Sequence, residues 1–300
     1  MKVSVVVPVY QSADTLQACI DSILAQSLDD LQLVLVDDGS TDASGAICDH
    51  AATADPRVSV IHQPNKGRTE ARAVGVRRAE CEWLCFVDSD DTLPVNSLKD
   101  LYEKTDASTD IVFGNGHTLA GENRASIPMD DFRHLAVRGV GTIGVPWGSM
   151  YRRSVLNDYL FDLPREILNG EDYIFWLRLV FSTGKPVNVV YKTVYNKGEE
   201  HTSNVFVWTA DYAARLNYFR WTSIPEKVRE EYLADTIEDR MANLFAVAVC
   251  SSRNDWANSP FYLQLCKDMD RAGISKTMRQ RLFLAMPSRH LRKMMAKIKG

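Results

Sequence analysis

The run Trp83-Leu84-Cys85-Phe86-Val87-Asp88-Ser89-Asp90-Asp91 decides the fold: five apolar residues stop abruptly on three carboxylates within four positions. A short, continuously apolar run is the mark of a strand buried on both faces, as in a parallel sheet covered by helices. In such open sheets ligands bind beyond the carboxyl ends of the strands, which is where these carboxylates fall. The same grammar repeats outward. Val3 to Val7 runs into Pro8, Val9 and Tyr10; Leu31 to Val36 runs into Asp37-Asp38-Gly39-Ser40-Thr41-Asp42; Val58 to Ile61 leads to Asn65-Lys66-Gly67; and Asp110 to Phe113 reads as a fifth strand. Between them, residues 15–25 place Leu16, Cys19, Ile20, Ile23 and Leu24 on one helical stripe, with Asp14 as its expected N-cap. Helices are expected over 43–52, 69–79 and 94–104, the last with Pro94 in its first turn. The fold class is therefore α/β, a Rossmann-like, mostly parallel sheet flanked by helices.

The polar residues gathered at one sheet edge are strongly acidic, and packed carboxylates repel unless a cation or hydrogen-bond donors compensate. Asp88-Ser89-Asp90 is a D-x-D whose alternate carboxylates suit a hard cation such as Mn²⁺ or Mg²⁺, with substrate phosphates completing the sphere. Taken alone the tripeptide reads equally as an Asx-rich turn. Gly39, Ser40 and Asp42 are accounted for by a tight turn and a helix cap, whereas Asp37 and Asp38 are not. Two adjacent carboxylates at a buried strand end cost desolvation energy, so at least one is expected to meet a ligand donor such as a nucleobase N–H.

Taken in order, these segments resemble the family 2 inverting glycosyltransferases of the GT-A fold, which use nucleotide-diphosphate sugars. The resemblance rests on Val5 to Tyr10, Val36 to Asp42, Asn65-Lys66-Gly67 with Ala71-Arg72, Phe86 to Asp91, and Gly170-Glu171-Asp172, and it covers about the first 200 residues. It implies that Pro8 and Tyr10 wall the nucleobase and that Asp38 reads a uracil N–H. Lys66 and Arg72 would contact the nucleotide. Asp88 would meet ribose or metal and Asp90 would be the principal metal ligand, with Asp91 able to substitute for either. Asp172 is implied as the base that deprotonates the acceptor hydroxyl, with Glu171 beside it on the acceptor side. Glu171 and Asp172 also stand at the start of an apolar helix, where carboxylates are favoured by the helix dipole and serve equally as caps. The sequence departs from the family's pattern at Gln11, where Asn is usual, and at Val74, where Asn is frequent.

Two further constellations have a double reading. Trp147, in the segment 147–153, falls where such enzymes shape the acceptor side, and is equally an ordinary buried aromatic. His201, in the polar loop 197–203, would complete the metal sphere or touch diphosphate, or else is a solvated loop residue.

Beyond about residue 204 the strand pattern stops and helical segments follow, which divides the chain into a catalytic domain (1–204) and a helical region (205–300). Within the latter, residues 276–300 carry eight Lys or Arg and no Asp or Glu; the overall charge of −4 thus leaves −12 on the remainder. The apolar positions Leu291, Met294, Met295 and Ile298 keep helical spacing among those cations. Such a helix either lies on an anionic membrane surface or packs on the domain with a solvated basic face.

Three hundred residues with 45% hydrophobic and 25% charged content bury a full core without disulfide or metal staples. The six cysteines, at 19, 48, 81, 85, 250 and 266, form no C-x-x-C pair and mostly interrupt apolar stretches. Read as reduced thiols, they place the protein in the cytosol, at most peripheral to the inner face of the membrane. No stretch approaches the ~20 apolar residues of a membrane span. Val3 to Val9 contains Pro8 and precedes no small-residue cleavage site, so it reads as a strand rather than a signal-peptide core.

The loop after the first strand holds no glycine, which removes the dinucleotide-binding mechanism, and it lacks the basic, glycine-rich grip a pyrophosphorylase needs for triphosphate. No nucleic-acid module is present. The expected partners are a nucleotide-sugar donor and a saccharide or lipid-linked oligosaccharide acceptor. A glycan- or nucleotide-binding module on the same scaffold is the competing class, and it would have no use for a base at Asp172.

Overall fold

A computed structural model describes residues 1–119, 121–198, 206–286 and 288–297. The chain divides into two compact units, Met1–Ala136 with Val140–His201, and Val137–Gly139 with Thr202–Gly300. The boundary expected after residue 204 and His201 itself lie outside the described residues.

The first unit runs β1 (Val3–Val9), α1 (Leu16–Leu24), β2 (Leu31–Asp37), α2 (Ser44–Ala54), β3 (Val58–His62), α3 (Arg68–Arg78), β4 (Trp83–Phe86), α4 (Ser97–Tyr102), β5 (Ile111–Phe113), β6 (Ser126–Ile127), α5 (Met129–Arg138), β7 (Ser149–Arg152), α6 (Glu171–Ser182) and β8 (Val187–Val189). The strands form one sheet in the order β3-β2-β1-β4-β7-β5-β8-β6. β1 to β4 are mutually parallel, β7 runs antiparallel between β4 and β5, and β5 and β8 are parallel. Six strands therefore point one way, with β7 and β6 reversed.

Side chains alternate across the strands, so Val3, Val5 and Val7 enter one apolar layer with Leu31, Leu33 and Leu35, and Val6, Val34 and Val36 enter the other. Both faces are covered, which is why these strands read as unbroken apolar runs. Helix α3 comes so close to β1 that a Cβ at Gly75 would collide with the Val6 side chain. That approach sets the height of α3, and with it Arg68 and Arg72, against the strand ends.

Several expectations are corrected. The N-cap of α1 is Thr15, not Asp14, and it makes no side-chain cap bond because its hydroxyl donates to the Ser89 carbonyl at 3.0 Å. α4 begins only at Ser97, since Pro94 instead gives its carbonyl to Ser97 N–H and to Gln26. The glycine-rich residues 115–145 contain α5, which buries Met129, Phe132 and Ala136 on one face. The insertion of β7 (Ser149–Arg152) between β4 and β5 interrupts the parallel order.

The second unit is helical: α7 (Ala210–Ser223), α8 (Leu233–Cys250), α9 (Arg253–Ala257), α10 (Pro260–Arg271), α11 (Met278–Ala285) and α12 (Arg289–Lys297). Its own core joins Leu244, Val247, Trp256, Phe261, Leu265 and Phe283. Among the described residues no helix is long and apolar enough to cross a membrane. All six cysteines are free, four of them buried.

Candidate active site at the carboxyl edge of the sheet

Tyr10 leaves the end of β1 half exposed, whereas Pro8 is a buried residue inside β1. A proline is tolerated there because β4 has already ended: its last ladder partner on β1 is Val6. Gln11 follows with φ 51°, a conformation that favours glycine or asparagine. Its side-chain oxygen accepts from Thr41 N–H at 2.7 Å and Asp42 N–H at 3.2 Å. The side chain standing in place of the usual Asn thus pins the first loop to the second. Asp42 reinforces the pin by accepting from Ala13 N–H at 3.0 Å.

The two aspartates left unexplained by turn chemistry find partners within the protein. Asp37 accepts from Ser40 N–H at 3.0 Å and meets His62 Nδ1 at 2.8 Å. Burial pushes its carboxyl up, but the hydrogen bonds from Ser40 and His62 outweigh burial and hold it below the ordinary carboxylate range. Asp38, only 2% exposed, accepts from Gln63 Nε2 at 2.6 Å and from the backbone N–H groups of Lys66 and Gly67, both at 2.8 Å. Its carboxylate therefore orders the Asn65-Lys66-Gly67 loop. Gly39 must be glycine here, with φ 76° and a Cβ that would sit 2.7 Å from the Asn65 nitrogen. The Lys66 side chain itself is exposed.

Three aspartates after β4 do three different things. Asp88 gives Oδ1 to Arg72. Asp90 is exposed. Asp91 is 4% exposed and turned inward, accepting from Tyr195 OH and Gly198 N–H, each at 2.6 Å. Burial, with Asp90 and Asp88 adding, raises its pKa despite those donors. It is a structural member of the turn, which removes it from the candidate metal ligands. Tyr195 OH also accepts from Asp88 N–H at 3.0 Å, and its ring stacks on Trp147 with centroids 4.4 Å apart and planes 12° apart. Trp147 is thus a half-buried platform beside the turn.

Helix α6 supplies the remaining carboxylates from its first turn, entered through Gly170 at φ 91°. Glu171 is buried and paired with Arg68; burial and then Asp172 raise its pKa, with Arg68 opposing them. Asp172, 17% exposed, meets Arg72 Nη1 at 2.6 Å, while Arg72 Nη2 lies 2.7 Å from Asp88. Arg72 is itself 3% exposed. Burial works against its charge, yet the Asp172 and Asp88 carboxylates raise its pKa above the usual arginine value. Arg72 therefore serves as a fork between two carboxylates rather than as an open phosphate contact.

The structure thus unites Asp88, Asp172, Glu171, Arg68 and Arg72, with Asp90 on the same turn as Asp88. Tyr195, His62, Gln63 and Arg68 were not singled out by the sequence. The one available signal was the parallel register, which sets Asp37 opposite His62.

Among the described residues, no three His, Cys, Asp or Glu side chains converge as a metal cage. Arg72 takes Asp88 Oδ1. Asp88 Oδ2 and the Asp90 carboxylate remain as donors, a set that fits Mg²⁺ or Mn²⁺ when phosphate oxygens complete the sphere.

Comparison with known proteins identifies the family. Residues 4–160, just over half the chain, match the glycosyl transferase family 2. The chain belongs to that family. It is 43% identical over 115 residues to glycosyltransferase GlyG of Streptococcus pneumoniae serotype 4, covering 38% of each chain. The chain spans 33%, 38% and 56% of the length of three curated glycosyltransferase relatives it matches. Its fold matches that of S. aureus TarS 1–349 in complex with UDP-GlcNAc, with TM-score 0.62 and 19% identity over 92% of this chain and 93% of that one. It also matches the mannosyltransferase PcManGT of Pyrobaculum calidifontis in complex with GDP-Man and Mn²⁺, with TM-score 0.57 and 17% identity over 98% and 84%. Its fold is a mixed α/β sheet of the GT-A type.

Proposed function

We propose that the chain is a metal-dependent, inverting enzyme that moves a sugar from a UDP-sugar donor to a hydroxyl of a saccharide or lipid-linked glycan acceptor. The observation that carries this reading is the placement of Asp172 and Asp88 on one buried guanidinium at the carboxyl edge of the sheet. On this reading a base and a leaving-group site would sit on the two arms of one guanidinium, the fixed relative placement that a single displacement needs.

In the proposed reaction the acceptor O–H gives its proton to Asp172 Oδ2, the oxygen that Arg72 does not take. The acceptor oxygen forms its bond to the anomeric carbon as the bond to the diphosphate oxygen breaks on the far face, which inverts the centre. Nucleoside diphosphate leaves. Mn²⁺ or Mg²⁺ at Asp90 and Asp88 would supply positive charge against that developing on the diphosphate. Tyr10 offers its exposed ring to the nucleobase, and Lys66 an exposed ammonium to the nucleotide. Asp38 would reach a uracil N–H with the lone pairs its own loop leaves over. Trp147 and Glu171 would flank the acceptor. The UDP-GlcNAc and the Mn²⁺ seen in the two structural neighbours support a nucleotide-sugar donor and a divalent metal. Synthesis of cell-surface polysaccharide from cytosolic donors is the setting we assign, in keeping with six free cysteines.

Donor binding and hydrolysis across a panel of nucleotide sugars, with and without Mn²⁺, tests the reading. Metal-dependent consumption of one donor, with binding lost in Asp90→Ala and only turnover lost in Asp172→Asn, is the expected result. Failure of every nucleotide to bind in the presence of metal would make the chain a glycan-binding module instead.

A further inference from the structure

The last helix of the second unit is held by the wrong kind of residue for an ordinary packed helix. Arg292 is fully buried, and its guanidinium donates to the carbonyls of Ala248 at 2.6 Å, Met286 at 2.5 Å and Ser251 at 2.9 Å. Ala248 and Ser251 lie at the C-terminal end of α8, where carbonyls lack partners within the helix and a cation is favoured by the dipole. This anchor fixes the rotation of α12. At 100° per residue the apolar positions Leu291 and Met294 then turn away from the anchor, and they are 46% and 62% exposed. Arg289, His290 and Lys293 are also exposed, and none of the three makes an ion pair among the described residues.

Helix α11 repeats the arrangement. It buries Phe283 and Leu284 in the helical core but leaves Met278 and Leu282, one turn apart, 78% and 52% exposed. Val249 of α8 and His290, Lys293, Met294 and Ala296 of α12 line an open hollow of about 470 Å³. Four large apolar side chains stand in water on the one stretch of chain, residues 276–300, that has eight cations and no acid.

We infer that α11 and α12 form a docking edge for an anionic lipid bilayer, with Leu282, Leu291 and Met294 entering the acyl boundary and Arg289 and Lys293 meeting lipid phosphates. Charge alone would suit any acidic partner. The exposed alkyl and thioether groups are rewarded only by a surface that is anionic outside and apolar within, which is the headgroup layer. The buried Arg292 gives the device its rigidity, because α12 is presented with its apolar edge outward before any lipid is met. The inference concerns the second unit alone and stands independently of the chemistry assigned to Asp172, although it would bring the enzyme to a lipid-linked acceptor.

The test is flotation of the full chain with vesicles of phosphatidylcholine alone and of phosphatidylcholine with phosphatidylglycerol, at low and high salt. Binding is expected on the anionic vesicles and is expected to weaken at high salt. The variant Arg289→Gln/Lys293→Gln should bind roughly 5-fold more weakly per cation removed, about 25-fold in all. Leu291→Ser/Met294→Ser should lose flotation while keeping the parent's melting temperature and donor turnover. All four side chains are exposed, so folding is preserved, and Lys293→Gln alone is the control if a pair proves unstable. Equal flotation on neutral and anionic vesicles, or flotation indifferent to both variants, would overturn the inference. So would a dimer in sedimentation velocity that Leu291→Ser/Met294→Ser dissociates, since the edge would then be an interface between copies.

Discussion

Arg72 joins Asp172 to Asp88 through a single guanidinium, 2.6 Å from one carboxylate and 2.7 Å from the other. Two acidic groups that would otherwise repel are thereby fixed in one geometry by a cation that is 3% exposed. Removing one member of such a buried set leaves uncompensated charge, at a cost of about 3–5 kcal/mol. Arg72→Ala should therefore melt well below the parent. Arg72→Lys should recover only part of that loss, because an ammonium cannot reproduce the planar two-armed fork. Melting temperatures of the three proteins decide the matter, and an unchanged value for Arg72→Ala would contradict the fork.

Asp172→Asn separates positioning from proton transfer. An amide keeps an oxygen for Arg72 Nη1 but cannot take the acceptor's proton. Turnover should fall by about 10²–10⁴-fold, with UDP affinity by calorimetry near that of the parent and a melting temperature lowered less than in Arg72→Ala, because Arg72 keeps Asp88 as a charged partner. Loss of nucleotide binding in step with turnover would place the base elsewhere.

Asp38 offers a sharper separation between an internal and a ligand-facing role. Its carboxylate already accepts from Gln63, Lys66 N–H and Gly67 N–H. Asp38→Ala would strand those donors, at about 1–3 kcal/mol for a buried unsatisfied group. The nucleotide-free protein should thus lose stability as well as donor affinity. A variant that melts like the parent and yet binds UDP poorly would assign Asp38 to the nucleobase alone.

Tyr195 supports the turn that carries Asp88 and Asp90. Its hydroxyl donates to the buried Asp91 and accepts from Asp88 N–H, so Tyr195→Phe removes both bonds while keeping the stack on Trp147. The expected outcome is a loss of about 1–3 kcal/mol together with a raised KM for the donor in metal titrations. A change in kcat alone, with KM and stability intact, would argue against this supporting role.

What could be read from the sequence follows from how local each feature is. β1, β2 and β4 were legible because each is a short, mostly apolar run buried on both faces and closed by polar residues, and β3, a partly exposed edge strand, because β-branched residues fill its centre. α5 was hidden by flanking glycines, although Met129, Phe132 and Ala136 carry helical spacing. The candidate carboxylates were legible as a group, but their division of labour was not. Asp91 and Asp90 are neighbours with opposite burial, and only the packing of Tyr195 and Gly198 separates them. The resemblance puts Arg72 at the nucleotide, and its pairing with Asp172 shows only when α6, 100 residues further on, comes against it.

The Asp37–His62 contact gives the loop after β2 a pH signature. The hydrogen bonds to Asp37 and then Asp49, whose carboxylates accept from the ring, raise the His62 pKa above its ordinary 6.5, outweighing a smaller effect of burial. A histidine raised on folding stabilises fully below its unfolded value and loses that contribution as pH climbs through the folded one. Asp37 is lowered below its ordinary 3.8, so its contribution is present above that value and fades as pH falls through the depressed one. The pair therefore stabilises most between these limits. Because His62 is half exposed, the effect is damped by solvent and by salt. Thermal melts of the parent and His62→Gln should differ most near about pH 5 and converge as pH rises above 6.5. Parallel curves across that rise would show that the imidazole contributes no charge to the contact.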